Sequence, residues 1–165
     1  MTTQSIYQVR FDWGVAGAAS ICDGADAIVW VDQLAATPRD LPEFPVVVAG
    51  TIQNSGAVAR WVLEQQGSRG NRFTIAVVAA GEARTDGSVR FAVEDLLAAG
   101  AVVDALAAVG IDYCSPEAAA ACAAYTSLRR ATAHLISASE SGMALGMPML
   151  DLDPVTEVPL LKPAG

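Results

Sequence analysis

The chain has 165 residues, a net charge of −8 at pH 7 and a pI near 4.4, and 53% of its residues are hydrophobic. Its ten Lys and Arg residues are scattered, which argues against binding to nucleic acid or to anionic membranes. The mean hydropathy is +0.38, but apolar runs such as 75–81 are far shorter than the roughly 20 residues of a membrane-spanning helix. We therefore expect one soluble, globular domain over residues 1–165, with neither nucleic acid nor a membrane as a partner.

The N-terminus and the cysteines indicate the cellular compartment. Residues 1–8 are polar and lack the basic and then apolar order of a secretory signal. Cys22, Cys114 and Cys122 form no C-x-x-C pair, and an odd number of cysteines without a signal is typical of a reducing compartment. We therefore expect a cytoplasmic protein whose cysteines are ordinary small buried residues.

The first part of the chain predicts one helix and two strands. Residues 13–22 are small and Ala-rich, which favours a helix. Residues 27–31 and 45–49 are β-branched and almost continuously apolar. That pattern is typical of strands that are buried on both faces of a parallel sheet.

The middle of the chain continues the alternation of helix and strand. A second helix is predicted over residues 55–66, with Asn54 or Ser55 as its N-cap and Gly67 as its end. Residues 73–79 form another continuous apolar run. They therefore predict a third buried strand.

The last part of the chain is mainly helical and ends in a Pro-rich tail. Residues 91–109 predict the longest helix, which Gly110 ends. A fourth helix begins at Ser115, a good N-cap that is followed by a proline, and it continues with a break to about Ser139. The tail is predicted to be extended, with residues 155–161 as an edge strand.

The order of these elements predicts the fold class. Strands that alternate with helices indicate βαβ units and a parallel sheet. We therefore predict a three-layer α/β/α domain with a mainly parallel sheet, in which residues 67–72 and 83–88 are loops. The high apolar content, together with Trp61 and Tyr125 on helical faces that we expect to be exposed, predicts a homodimer.

Polar side chains follow each predicted strand. Asp32 follows the first strand, Asn54 and Ser55 stand in the turn after the second, and Glu82 follows Gly81 after the third. In an open α/β sheet, ligands bind at the carboxyl ends of the strands, so these residues are expected to converge. Carboxylates suit a hard cation such as Mg²⁺, and amide donors at the start of a helix suit an anion.

Glu94 and Asp95 stand near the start of the longest predicted helix. Two interpretations remain open for them. They serve only the helix dipole, an interaction of about 0.3–1 kcal/mol, or one of them points across the strand ends to hold a metal. The residues after the strands have the same two interpretations, as helix caps and solvated loop residues or as a site. His134 is the only histidine, which excludes a multi-histidine zinc site within one chain.

A block in the middle of the chain matches a more specific pattern. In residues 74–82 a strand ends in Ala-Ala-Gly, and in residues 90–101 a helix opens with Glu-Asp and soon carries Ala-Gly. This block resembles a signature of the 2-phosphosulfolactate phosphatase (ComB-like) family. Residues 52–59 are similar to the family's Asn-x-x-Ala-x-Ala segment, residues 27–34 to its first strand, and residues 139–145 to its Ser-Gly-x-x-Leu turn.

The resemblance implies both a fold and an activity. The fold is α/β, and the activity is a Mg²⁺-dependent acid phosphatase that hydrolyses 2-phosphosulfolactate, so the expected partner is a small anionic phosphorylated substrate. Mg²⁺ would polarise the phosphoryl group. The residues assigned on this basis are Asp32, Glu82, Glu94 and Asp95 as catalytic, Asp95 and Glu82 as metal ligands, and Asn54, Ser55 and Gly81 as substrate-binding.

The chain departs from the family pattern in three places. The Leu-Arg-Ala-Thr-type run that follows the family's Asp is replaced here by Gln-Leu-Ala-Ala in residues 33–36. Family members are longer between the first strand and the Asn-containing segment, where they carry a Thr-rich Asn-Gly-Thr turn, and here only residues 33–44 fill that connection. The Arg and Glu expected after the Ser-Gly pair are Met143 and Ala144. Two functions are therefore open: the Mg²⁺-dependent hydrolase, and a non-catalytic relative that acts as a ligand-binding or interaction protein.

Overall fold

The structure is a computed structural model that describes residues 3–162. Within those residues the chain forms seven strands and six α-helices, with a 3-10 helix between the fourth and fifth helices. The strands are β1 (Val9–Trp13), β2 (Ala27–Val31), β3 (Val47–Gly50), β4 (Ile75–Ala79), β5 (Glu82–Ala83), β6 (Val89–Arg90) and β7 (Leu160–Lys162). The helices are α1 (Gly14–Ile21), α2 (Ser55–Arg69), α3 (Val93–Ala108), α4 (Pro116–Leu128), α5 (Thr132–Ser137) and α6 (Glu140–Ala144).

Five strands form one sheet in the order β1-β4-β2-β3-β7. The first four of these are parallel to one another, and β7 lies antiparallel against β3 at the edge. All residues of β2 and β4 are buried, which explains why their sequences are continuously apolar. The predicted α/β fold with a mainly parallel sheet is confirmed. The three predicted strands are β2, β3 and β4, and the predicted edge strand is β7, which is shorter than expected.

Helices cover the two faces of the sheet unequally. On one face lie α2, α3 and α4, with Val58, Leu97 and Leu106 fully buried. The other face is covered by α1 and by the segment that carries Leu41 and Phe44, with Ile21 fully buried and Phe44 partly buried. Each fully buried aliphatic side chain contributes about 1.5–3 kcal/mol of hydrophobic free energy. The three-helix layer therefore supplies the larger part of the core.

The first strand, β1, is an element that the sequence pattern missed. Its residues alternate between apolar and charged side chains, which is a signal for a half-buried strand. The first element predicted was instead the helix over 13–22, which begins at Gly14. Arg10 in β1 is only 3% exposed. Its guanidinium donates to four backbone carbonyls, including that of Ile21 in the last turn of α1 at 2.7 Å. Those hydrogen bonds make burial of the charge tolerable.

Two predicted boundaries were wrong. The second helix does not end at Gly67, because the left-handed residue that ends it is Gly70, with a φ of +71° and an N–H that donates to the carbonyl of Gln66. A glycine ends a helix when it adopts this conformation, and Gly67 lies inside α2. Residues 83–88 are not wholly a loop either, since β5 and β6 pair around a turn.

The later helices agree closely with expectation. The predicted helix over 91–109 is α3, and Gly110 follows it with a φ of +86°. The hydroxyl of Ser115 accepts a hydrogen bond from the N–H of Ala118 at 3.1 Å and so caps α4 as predicted. The expected break in this region is the 3-10 helix Arg129–Ala131.

Helices α3 and α4 are in backbone contact at Gly100. A Cβ atom at this position would lie 2.2 Å from the carbonyl oxygen of Ala121 and 2.7 Å from the Cβ of Tyr125. No side chain fits at those distances without moving one of the helices. Gly100 therefore sets the separation of α3 from α4.

The side chains that suggested a homodimer are not on open faces. Trp61 is half-buried and packs edge-on against Phe73 with ring centroids 5.8 Å apart. Tyr125 is half-buried beneath the guanidinium of Arg129. The part of the argument for a dimer that rests on these two residues is thus lost, and the dimer stays a prediction. Across residues 3–162 no helix is both long and apolar enough to cross a membrane. The three cysteines are partly buried and form no disulfide.

Candidate functional site

The carboxyl ends of β2, β3 and β4 lie at one edge of the sheet. Asp32 and Gln33 follow β2, residues 51–54 follow β3, and residues 80–82 follow β4. The connection from β2 to β3 passes over the face that carries α1 through Leu41 and Phe44, whereas the chain after β4 leads to α3 on the opposite face. Neighbouring strands whose connections diverge in this way leave a crevice at their carboxyl ends. This crevice is the candidate site.

Asp95 lies at the centre of the crevice. It is 2% exposed, and its position in the first turn of α3 places its carboxylate between the loops that follow β2 and β4. Its Oδ1 accepts a hydrogen bond from the N–H of Gln33 at 2.8 Å, and its Oδ2 accepts one from the N–H of Gly81 at 2.9 Å. The carboxylate therefore joins two loops that are far apart in sequence.

The electrostatic environment of Asp95 opposes its ionisation. Burial, the largest cause, and the charges of Asp32 and Glu94 raise the pKa of Asp95 to about 8, although the hydrogen bonds from the backbone of Gln33 and Gly81 act in the opposite direction. The same edge thus stabilises the carboxylate through two N–H groups and destabilises it through burial and neighbouring charge. A cation bound nearby would offset the repulsion from the neighbouring charges.

Asp32 is more accessible than Asp95. It is partly exposed, and burial, followed by the charge of Glu82, raises its pKa to about 6. The charge of Glu94 adds to the shift, and a hydrogen bond from the N–H of Ala35 opposes it. Because these acids act on one another, the structure brings Asp32, Glu82, Glu94 and Asp95 to one edge. Of the residues that follow the predicted strands, Asp32 and Glu82 are thus close enough to act on one another; the function of this edge as a site stays a prediction.

Glu94 is buried without full hydrogen bonding. It is 2% exposed, and within the described residues its Oε2 has no hydrogen-bond partner. A buried oxygen left unpaired costs about 1–3 kcal/mol, and more when it is charged. Native proteins keep few such groups, so this oxygen fits a ligand, a proton or a cation.

Asn54 and Ser55 hold the turn after β3. Asn54 is 3% exposed; its Oδ1 accepts from the N–H of Thr51 at 2.8 Å, and its Nδ2 donates to the carbonyls of Ala49 and Glu157. The hydroxyl of Ser55 donates to the carbonyl of Ile52 at 2.9 Å. Asn54 occupies the N-cap position of α2 without a capping hydrogen bond from its side chain. Contact of either residue with an anion stays a prediction.

Gly81 is required by the geometry of the site. Its φ is +62°, and a Cβ atom would lie 2.4 Å from Cγ1 of Val89 and 2.8 Å from the carbonyl oxygen of Arg90. Only glycine combines that conformation with so close an approach. The turn presents the N–H of Gly81 to Asp95, and contact of Gly81 with substrate stays a prediction.

Two residues near the acids were not assigned from the sequence. Gln33 is 9% exposed; its Oε1 accepts from the N–H of Ile52 at 2.8 Å, and its Nε2 donates to Oε1 of Gln53 at 2.9 Å. Arg90 lies opposite Glu82 in the pairing of β5 with β6. Its guanidinium donates to the hydroxyl of Ser141 at 3.0 Å. Arg90 stands in the block that carries the family resemblance, which could have drawn attention to it. No local pattern singles out Gln33.

The described residues contain no ready-made metal centre. Across 3–162 no three Asp, Glu, His or Cys side chains are arranged so that they could hold an ion together. Mg²⁺, however, is commonly bound by only one or two carboxylates, with waters and substrate oxygens completing its shell. Asp32 and the unpaired oxygen of Glu94 fit that manner of binding. His134, the remaining candidate from the sequence, is exposed on α5.

Comparison with known proteins agrees with these observations. The sequence model of a family described as 2-phosphosulpholactate phosphatase matches residues 24–153. That range includes β2 to β6, α2 to α6 and every residue of the crevice described above. No curated protein matched the chain. Since the match covers most of the sequence, the chain belongs to the 2-phosphosulpholactate phosphatase family.

Proposed function

We propose that this protein is a Mg²⁺-dependent phosphatase that releases phosphate from a small anionic organic acid, with 2-phosphosulfolactate as the first candidate. The observation that carries the proposal is the buried, unpaired Oε2 of Glu94 beside Asp32 at the carboxyl edge of the sheet. Membership in a phosphatase family supports hydrolysis as the type of reaction. The proposed partner is thus a small phosphorylated substrate.

Charge explains why a cation is needed. Asp32, Glu82, Glu94 and Asp95 are all acidic, and a phosphate ester adds further negative charge to the same edge. Two unit charges 4 Å apart repel by about 4 kcal/mol at an effective dielectric constant of 20. A cation between the carboxylates and the phosphate would convert this repulsion into attraction.

The acidic side chains would have different roles. Asp32 and Glu94 would hold Mg²⁺, and Glu82 would approach it from the hairpin. Asp95, which was assigned as a ligand from the resemblance, already accepts one backbone hydrogen bond at each oxygen, so it would contribute through its remaining lone pairs or by orienting the loops. Mg²⁺ supplies polarisation of the phosphoryl group and offsets the charge that develops on it.

A second function, that of a non-catalytic relative, is supported by separate observations. Both amide hydrogens of Asn54 and the hydroxyl hydrogen of Ser55 are engaged by backbone carbonyls, which removes them as donors to a phosphate. The connection over residues 32–46 packs on the sheet through Leu41 and Phe44 and so takes a structural role. Such a protein would keep a ligand site without turnover.

Phosphate release decides between the two functions. We would measure it from a panel of small phosphate esters that includes 2-phosphosulfolactate, with Mg²⁺ and with a chelator. For the phosphatase, turnover requires Mg²⁺ and falls about 100-fold or more in Asp32→Asn, because metal stabilisation of the transition state is worth several kcal/mol. Asp112→Asn, an exposed carboxylate at the other end of the sheet, serves as the control and keeps full activity. A background rate of phosphate release that changes neither with Mg²⁺ nor in Asp32→Asn would support the non-catalytic function.

We also propose a cytoplasmic homodimer. The three cysteines are free thiols, which is consistent with a reducing compartment. Phe91, Leu145 and Met149 are 58%, 60% and 101% exposed, and exposed apolar side chains of this kind are often covered in dimers. Light scattering that gives the mass of one chain at micromolar concentration would contradict the dimer.

A further inference from the structure

Hydrogen bonds connect the three loops at the carboxyl edge through two buried side chains. Asp95 accepts from the N–H groups of Gly81 and Gln33, which belong to the loops after β4 and β2. The side chain of Gln33 in turn accepts from the N–H of Ile52 and donates to the side chain of Gln53, both in the loop after β3. We call Asp95, Gln33 and Gln53 the three-loop clamp.

We propose that Gln33 is a positioning residue, which acts with Asp95 to fix the distance between Asp32 and Glu94. This inference rests on the proposed phosphatase function. Gln33 directly follows Asp32, and Asp95 directly follows Glu94. The 2.8 Å hydrogen bond from the N–H of Gln33 to Oδ1 of Asp95 therefore joins the immediate neighbours of the two acids.

Repulsion makes such a clamp necessary. Two carboxylates at one edge of a sheet repel each other when both are charged. Without a restraint, the loop after β2 would move away from the start of α3. A displacement of about 1 Å at a catalytic group can lower a rate about 100-fold. The side-chain bonds of Gln33 to the loop after β3 oppose that movement, because β3 is itself fixed beside β2 in the sheet.

The chain contains a matched control for Gln33 at the opposite edge of the sheet. Gln8 is 7% exposed, and Gln33 is 9% exposed. The Nε2 of Gln8 donates to Oε1 of Gln66 at 2.7 Å and to the carbonyl of Phe73 at 3.0 Å. Each glutamine thus makes one side-chain bond to another glutamine and one to the backbone of a loop, but only Gln33 adjoins the acids.

The experiment compares Gln33→Met with Gln8→Met. Both substitutions remove two side-chain hydrogen bonds, so both should lower the melting temperature by similar amounts. We expect Gln33→Met to lower kcat about 10- to 100-fold with KM changed by less than about threefold, as for other residues that orient a site. Gln8→Met should keep kcat within about twofold, because its bonds lie at the opposite edge.

Amide hydrogen exchange provides a readout that does not depend on turnover. The N–H of Gly81 bonds to Asp95, which neither substitution removes. If the clamp is one unit, Gln33→Met should speed exchange at Gly81 about tenfold through local opening, and Gln8→Met should leave it unchanged. Equal effects of the two substitutions on kcat, together with wild-type exchange at Gly81 in Gln33→Met, would overturn the proposal.

The remaining outcomes are also decisive. If the wild-type protein releases no phosphate from any substrate, the proposed function fails, while exchange at Gly81 still decides whether the clamp exists. If Gln33→Met does not fold, Gln53→Ala replaces it, since Gln53 is partly exposed and loses only one bond of the clamp. It should show the same pattern with a smaller fall in kcat, and unchanged kcat with unchanged exchange at Gly81 would overturn the proposal.

Discussion

The two ends of the sheet are built from similar parts but differ in charge. Each end uses a buried glutamine to hold its loops, Gln33 at the carboxyl edge and Gln8 at the amino edge. The amino edge has a surface cavity of about 400 Å³ that Gln8, Gln66, Gly70, Asn71 and Arg72 line. The carboxyl edge instead concentrates acids whose pKa values are raised. Burial of like charges lowers stability, and acids with raised pKa values at one edge are the feature expected of the proposed site.

The pH dependence of stability should give the largest contrast between the two edges. Burial raises the pKa of Asp95 from 3.8 to about 8 in the folded protein, so the folded state binds more protons than the unfolded state between these values. The free energy of unfolding should therefore fall as the pH rises from about 4 to about 8, by an amount on the order of 5 kcal/mol.

Denaturant unfolding at several pH values, with a chelator present, measures this effect. Asp95→Asn should flatten the curve, and most clearly above pH 6, where Asp32 has already ionised. Gln8→Met should shift the curve downward without changing its shape. A stability that rises with pH over this range would contradict the buried acidic cluster.

A pair of glycines tests how tightly each edge is packed. Gly81→Ala should lower the free energy of unfolding by about 2–4 kcal/mol, because a strained φ and a steric clash combine. Gly70→Ala at the amino edge has a similar φ of +71° but nothing within 4 Å of the added Cβ, so it should cost only about 1 kcal/mol. Urea unfolding gives both values, and a Gly70→Ala effect as large as that of Gly81→Ala would mean that packing at Gly81 is loose.

Added Mg²⁺ should stabilise the protein through the carboxyl edge alone. At a concentration of 100 times its Kd, a ligand that binds only the folded state adds about 2.7 kcal/mol. We expect a rise in melting temperature with Mg²⁺ in the wild-type protein and in Asp112→Asn, and a much smaller rise in Asp32→Asn. An equal rise in all three proteins would place Mg²⁺ elsewhere on the surface.

The smallest expected effect concerns ion pairs at the two edges. Arg90 and Glu140 approach to 3.4 Å at the carboxyl edge, where the Glu140 side chain is 73% exposed, and Glu140→Ala should cost about 0.5 kcal/mol or less. At the amino edge, Asp26 pairs with Arg69 and also accepts from the N–H of Thr74 at 2.7 Å. Asp26→Ala should therefore cost about 1–2 kcal/mol. Chemical denaturation of both variants measures the two losses in the free energy of unfolding. A larger loss in Glu140→Ala than in Asp26→Ala would contradict this prediction.

Most of the sheet was predictable because its central strands are buried on both faces. Residues of β2 and β4 are all buried, so each strand carries an apolar run that a sequence reveals directly. Once the strand ends are located, the rule that ligands bind at the carboxyl edge is enough to place Asp32 and Glu82 together, whereas Asp95 on the longest helix remained open between two interpretations.

The features that escaped prediction depend on partners that are distant in sequence. β1 contains Arg10, whose burial becomes favourable only when the carbonyl of Ile21 and others surround it. The clamp depends on strand order, because Gln33 meets Asp95, 62 residues away, only when β2 and β4 are neighbours. No motif encodes either arrangement, although the alternation of residues 9–13 was a signal for a strand.

Gly100 has a consequence for how mutations reach the site from a distance. The missing side chain lets α3 and α4 touch, and Glu94 and Asp95 stand about five residues earlier on α3, roughly 8 Å along its axis. An alanine at this position would push α3 away from α4, and a rigid helix would carry that displacement to its first turn. Helix α4 contributes no acid to the crevice. Substitutions on α4 that displace α3 would nevertheless change the distances between the carboxylates.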